Sequence, residues 1–150
     1  MMTWTPPRTI VRSPGRTLIE HVFGERYTTD AARRQIGEGF DAGVFRRFEK
    51  VVPVPRGALA DHLHVSERTL LRRLHEDKHF SAVESDRLYR LIDLYSQAAD
   101  VLGSLEAASE WMTSPAVALG DQTPLSYATN EAGAKRVGQL LTRIDDGVYS

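Results

Sequence analysis

The sequence predicts an all-α protein, a helix-turn-helix followed by a compact helical module, and three observations carry the all-α part. Apolar residues recur at spacings of three and four in successive segments. Most of those segments open on Ser, Thr, Asp or Asn caps, some followed by proline, and three close on glycine. The one stretch that resembles a strand, Val51-Val52-Pro53-Val54-Pro55, carries two prolines in five residues and is a connector. At 150 residues and 16.8 kDa the chain holds one domain, or two small helical units sharing a core, and cannot be a large multidomain enzyme.

The first twelve residues, with Pro6 and Pro7, read as a flexible arm. Ser13 is a candidate N-cap with Pro14 in the first turn, and Leu18, Ile19, Val22 and Phe23 form a stripe closed by Gly24. A second helix is expected from Thr29 or Asp30. A third follows Asp41, with Val44, Phe45, Phe48, Val51 and Val52 at helical spacing until Pro53, leaving Arg46 and Arg47 outside. Residues 56–74 read as two short helices joined by a turn at His64-Val65, the second capped by Ser66. Leu59, Leu63, Val65, Leu70 and Leu74 can meet in one small core there.

The strongest helix opens on the capping box Ser81-Ala82-Val83-Glu84 and should run about 20 residues, roughly 30 Å. Leu88, Leu91, Ile92, Tyr95, Ala99 and Leu102 share one face up to Gly103, while Asp86, Arg87, Arg90 and Asp93 read as solvated charge. A short helix from Leu105 to Met112 follows, with Trp111 expected in the core rather than as an interface anchor. Thr123-Pro124 starts one or two further turns. Asn130 caps a last helix carrying Ala134, Val137, Leu140, Leu141 and Ile144, which Gly147 ends.

Composition narrows function by exclusion. No apolar stretch has the roughly 18 residues of a membrane span, and the N-terminus lacks the apolar run of a signal peptide, so a cytoplasmic protein is expected. The absence of cysteine removes disulfides, thiolate zinc sites and thiol nucleophiles together. Of the five histidines, His62 and His64 diverge, while His75 and His79 are four apart with no third ligand pattern; they read as solvated or DNA-proximal. Asp145 and Asp146 are adjacent and make a poor general acid–base pair. No nucleophile elbow or phosphate loop is present, so we expect no catalysis, no cofactor and no metal. Residues 1–80 carry net charge +4 and residues 81–150 carry −5, so the halves should prefer different partners, with the basic half suited to phosphate.

Within that basic half, Ser66, Glu67, Arg68 and Arg72 remain outside the small core, with Thr69 and Arg73 at its flank. The window resembles the helix-turn-helix of Xre/Cro-type regulators, whose second helix enters the major groove. These six residues are the expected DNA-binding set, since an arginine bonds guanine bidentately while its neighbours and the helix N-terminus hold phosphates. Two positions depart from the pattern. His64 stands where a glycine is usual, at a turn whose left-handed backbone strains a residue with a Cβ. Leu71 stands at a usually polar outward place, to touch a thymine methyl or to bury itself in a protein contact.

The C-terminal part carries Trp111-Met112-Thr113-Ser114-Pro115, Ala118-Leu119-Gly120, Thr123-Pro124-Leu125, Thr129-Asn130-Glu131-Ala132-Gly133-Ala134, Val137, Leu141, Arg143-Ile144 and Gly147. In this order they resemble the toxin-binding domain of Xre/MbcA/ParS-type antitoxins, with Ala116 in place of a frequent asparagine and Asp121 in place of a frequent second glycine. The resemblance implies an antitoxin that neutralises a cognate toxin, commonly a RES-domain protein that depletes NAD. It also implies a homodimer that represses its own operon by binding operator DNA. The division expected is an arm over 1–12, an N-terminal helical region over 13–80 with the helix-turn-helix at about 56–77, and a toxin-binding domain over 81–150.

The expected toxin-contacting set is Asp145, Asp146, Gly147, Val148, Tyr149 and Ser150, with Arg143, Leu119 and Gly120 from the resembling motif. The acids and the terminal carboxylate suit arginines that hold a pyrophosphate, and Tyr149 can stack where a ring would sit. Two rival functions remain: a stand-alone helix-turn-helix regulator, and an adaptor that docks a partner other than a toxin.

Overall fold

The computed structural model describes Thr3 and residues 13–147; the rest of the expected arm, and Val148, Tyr149 and Ser150, lie outside the described residues. Helices α1 (Pro14–Phe23), α2 (Thr29–Glu38) and α3 (Ala42–Val51) are followed by the short pair α4 (Arg56–Leu63) and α5 (Glu67–His75). The long α6 (Ala82–Leu102) comes next, then α7 (Leu105–Met112), a 3₁₀ turn (Val117–Leu119), α8 (Pro124–Tyr127) and α9 (Glu131–Asp145). No strand occurs among the described residues.

Local chemistry sets the helix starts. Ser13, Thr28, Asp41, Ser66, Ser81, Ser104, Thr123 and Asn130 each accept a hydrogen bond from the backbone N–H three residues on. Each such cap contributes on the order of 1 kcal/mol. At α6 the box is reciprocal, because Glu84 also accepts from the Ser81 N–H at 2.9 Å. Left-handed Gly103 closes α6.

Tertiary order comes from α6, which packs against α1, α2, α4, α7 and α9. Leu88, Leu91, Ile92, Tyr95, Ala98 and Ala99 are buried along it. They belong to one apolar cluster that runs from Leu18, Val22, Phe45 and Phe48 through Leu59, Leu63 and Leu70 to Met112, Val137 and Leu141. Each large apolar side chain so buried contributes about 1.5–3 kcal/mol. The Gly15 N–H donates to Asp100 Oδ1 at 2.8 Å, and a Cβ at Gly15 would lie 2.3 Å from the Ser96 carbonyl oxygen, so glycine permits this approach of α1 to α6.

The α2–α3 turn is tied to the start of α6. The Phe40 N–H donates to the buried Ser85 Oγ at 2.8 Å, and Phe40 O accepts from the Phe80 N–H at 2.8 Å. Trp111, expected in the core, is only half-buried: it packs from α7 against the apolar cluster without being enclosed by it. Asp93 also departs. It is half-buried under Gln97, which donates to it at 2.8 Å, and burial raises its carboxyl pKa against that bond.

His62 is not solvated, as the sequence had suggested; it is 5% exposed, and its Nε2 lies 2.6 Å from the Leu125 carbonyl oxygen in α8. The carbonyl accepts, so Nε2 carries the hydrogen. Burial lowers the pKa of His62 from its ordinary 6.5, outweighing the Leu125 carbonyl and Asp61, while His64 pushes the same way as burial.

Two outcomes follow for stability. Ser85→Ala leaves the Phe40 N–H buried without an acceptor and should cost about 1–3 kcal/mol in urea unfolding; an unchanged midpoint would show that the bond is replaceable. For His62, the unfolded chain takes up a proton that the folded chain resists. Its contribution is therefore complete above about pH 6.5 and is lost as pH falls below it. His62→Gln keeps a donor without the titration, so its melting temperature should fall less than wild type between about pH 7.5 and about pH 5.5.

Candidate functional site

Two short helices and a turn build the first site. At the end of α4, His64 adopts a left-handed backbone with φ 57° and ψ 40°, and the Val65 N–H reaches back to the Ala60 oxygen at 3.1 Å. Ser66 then opens α5 with its hydroxyl on the Thr69 N–H at 3.1 Å and donates to Thr69 Oγ1 at 2.9 Å. Leu59, Leu63, Leu70 and Leu74 are buried between the pair, and Val65 is half-buried beside them. Their spacing fixes what is left outside: Glu67, Arg68, Leu71 and Arg72 on the exposed face, and Thr69 and Arg73 partly covered.

Charge availability divides the basic residues. Arg73 pairs with Glu84, whose side chain is only 8% exposed, so the ion pair fastens α5 to the first turn of α6. Burial opposes ionisation of Glu84, yet Arg73 and the Ser81 bonds outweigh it and hold its carboxyl below the usual range. Arg56 forks onto both carboxylate oxygens of Glu49 at 2.9 and 3.0 Å, a bond that raises its pKa. Arg46 bonds Asp77 at 2.6 Å and the Leu74 carbonyl, and Arg47 donates to the Val22 carbonyl at 2.9 Å. Arg68 and Arg72 make no ion pair among the described residues and point away from the core. Between them Leu71 is 42% exposed.

The α4–α5 pair is held from the far end of the chain. His64 Nε2 lies 2.8 Å from the Thr129 carbonyl, next to the cap of α9, and Arg87 Nη1 donates to the Leu63 carbonyl at 3.3 Å. Neither contact was visible in the sequence, because 65 residues separate His64 from Thr129. The one local signal was a histidine at a turn where glycine is usual.

The second candidate site lies on the C-terminal helices. Between α7 and α8 the backbone closes on itself: the Ala116 N–H donates to Gln122 O at 3.0 Å, and the Asp121 N–H to Ala116 O at 3.0 Å. Gly120 and Asp121 are both left-handed, with φ 64° and 63°, so aspartate serves here without glycine's freedom. Leu119 is 3% exposed and anchors the loop from within, leaving Gly120 exposed above it. Val117, which the sequence reading passed over, is 88% exposed at the tip. Its sign in the sequence was an apolar residue in a proline-bounded segment without helical spacing. Arg143, Asp145, Asp146 and Gly147 are exposed at the end of α9, beyond the last buried residue, Leu141. The expected contacts Val148, Tyr149 and Ser150 fall outside the described residues.

Among the described residues, neither site gathers the donors of a metal centre. No group of three or more His, Asp or Glu residues among the described residues is placed to hold a metal. His75 ends α5 and Asp77 turns left-handed at φ 56°, so His75 and His79 share no helical face. No helix among the described residues is long and apolar enough to cross a membrane.

Two family models match the chain. Residues 31–93 match the antitoxin Xre-like helix-turn-helix domain, and residues 97–147 match the antitoxin Xre/MbcA/ParS C-terminal toxin-binding domain, so α6 is shared between them. An Antitoxin Xre of Yersinia enterocolitica is 30% identical over 113 residues, covering 75% of this chain and 76% of the relative. Another, from Photorhabdus laumondii, is 28% identical over 116 residues, covering 77% of this chain and 78% of the relative. One from Pseudomonas putida is 31% identical over 80 residues, covering 53% of this chain and 50% of the relative. With the α4–turn–α5 pair ahead of the closed α7–α8 loop and α9, the chain belongs to the Xre antitoxin family, a helix-turn-helix joined to a toxin-binding domain.

Proposed function

We propose that this antitoxin inhibits a RES-domain toxin that depletes NAD and, as a cytoplasmic homodimer, represses its own promoter by laying α5 in the major groove. Residues 13–80 then form the reading unit and residues 81–150 the toxin-binding unit. The observation that carries the DNA reading is the outward pair Arg68 and Arg72, one turn apart on a capped helix and free of ion pairs among the described residues. Ser66 and Glu67 stand at the helix N-terminus, where backbone N–H groups meet a phosphate. Thr69 orders that end, and Arg73, held by Glu84, sets how α5 leaves the core.

On the toxin side the exposed acids Asp145 and Asp146 suit arginines of a pyrophosphate pocket. Gly147, Val148, Tyr149 and Ser150 continue from them as the plug, and Arg143 flanks it. Gly120, raised on buried Leu119, offers a second contact. No cofactor or metal takes part in this scheme. A second reading has one observation behind it: exposed Leu71 on the proposed reading face also suits a protein contact, as in an adaptor.

Arg68→Ala or Arg72→Ala should weaken binding to the promoter duplex by about 1–3 kcal/mol if either arginine reads a base. Wild-type affinity in both variants sinks the placement of α5. Removing Val148 to Ser150 should abolish inhibition of NAD consumption by the toxin, and inhibition that survives the truncation rules out the plug.

A further inference from the structure

The α4–α5 turn places a histidine where glycine would fold without strain. The left-handed backbone at φ 57° disfavours a residue with a Cβ, and the turn's own hydrogen bonds, from the His64 N–H to Ala60 and Asp61, are backbone bonds that glycine would make equally well. What the side chain adds is the bond from Nε2 to Thr129 O at 2.8 Å. Two positions earlier, His62 does the same with Leu125 O at 2.6 Å. The exit of α4 is thereby fastened at two points to the corner where α8 passes into α9.

That corner is stiff on its own side. Asn130 Oδ1 accepts from the Gly133 N–H at 2.7 Å, and a Cβ at Gly133 would lie 1.9 Å from Tyr127 O, so the first turn of α9 is pressed against α8. From it α9 continues for 15 residues, about 22 Å, to Asp145. At the other end of the same connection, the His64 turn leads through Val65 directly to Ser66, the cap of α5.

We propose that His62 and His64 are positioning residues that couple the DNA face of α5 to the seat of α9, so that binding at either end changes the other. This rests on the proposed reading of α5 as the DNA-contacting helix. The coupling is reciprocal: a duplex that shifts the α4–α5 turn alters the α8–α9 corner, and a partner that shifts α9 alters affinity for the duplex. His62 is buried and supports the joint, while His64 is exposed and can be changed without opening the core.

Hydrogen-exchange mass spectrometry of the full chain, with and without its own promoter duplex, tests this with His64→Gly as the decisive variant. In wild type the duplex should slow exchange in α5 and also change it several-fold in residues 129–137. In His64→Gly, whose turn keeps its backbone without strain, the slowing at α5 should persist while the change at 129–137 disappears. Protection of α5 in wild type with no change at 129–137 overturns the coupling and leaves the DNA reading standing. A change at 129–137 retained in His64→Gly overturns it too, since the duplex then covers the corner directly. Loss of α5 protection in the variant overturns it by showing that the imidazole serves the turn itself. No protection of α5 in wild type removes the DNA reading and the coupling together.

Discussion

The structure depends on the burial of α6 along most of its length. A surface helix needs cover on one stripe, but here Leu88, Leu91, Ile92, Leu94, Tyr95, Ala98 and Ala99 are all buried, with Ser85 and Ser96 buried beside them. Cover must therefore come from both directions along the chain. Helices α1, α2 and α4 supply it from the N-terminal side and α7 and α9 from the C-terminal side. The glycine at position 15 and the alanines at 98 and 99 belong to the same constraint, since close helix approach needs small residues at the crossing.

Polar groups then do the joining. Ser85 holds the Phe40 N–H, Asp100 holds the Gly15 N–H, Glu84 holds Arg73, and His62 holds Leu125 O. Each bond links residues far apart in sequence or on different helices, and each satisfies a group that would be costly to cover unpaired. An apolar core tolerates sliding of one helix on another more readily than a set of directional bonds does. These contacts therefore fix how the α4–α5 pair sits on α6 and against the α8–α9 corner.

Net charge alone is a poor guide to the reading face. Of the arginines that give residues 1–80 their positive balance, Arg46, Arg47, Arg56 and Arg73 are engaged within the molecule. What distinguishes Arg68 and Arg72 is position on α5, two places that Leu70 and Leu74 turn outward by filling the core from the opposite side. The acidic half is similar: Glu84, Asp86 and Asp100 serve internal bonds, whereas Asp145 and Asp146 stand exposed at the end of α9.

The sequence by itself determined the helices and their order, because caps, prolines, closing glycines and apolar spacing all act within a few residues of one another. Ser81 with Glu84, Thr123 with Pro124 and Asn130 before Glu131 were legible for that reason, as was the family resemblance, which rests on residue order alone. Exposure of polar and aromatic groups was decided only by the tertiary structure. His62 and Asp93 lie partly or wholly inside, Trp111 is only half-buried, and Arg73 faces an internal carboxylate rather than solvent. The physical reason is that the polar side of a helix becomes interior only when a second element covers it. For His62 that element is α8, 63 residues away, and no local pattern around the histidine announces it.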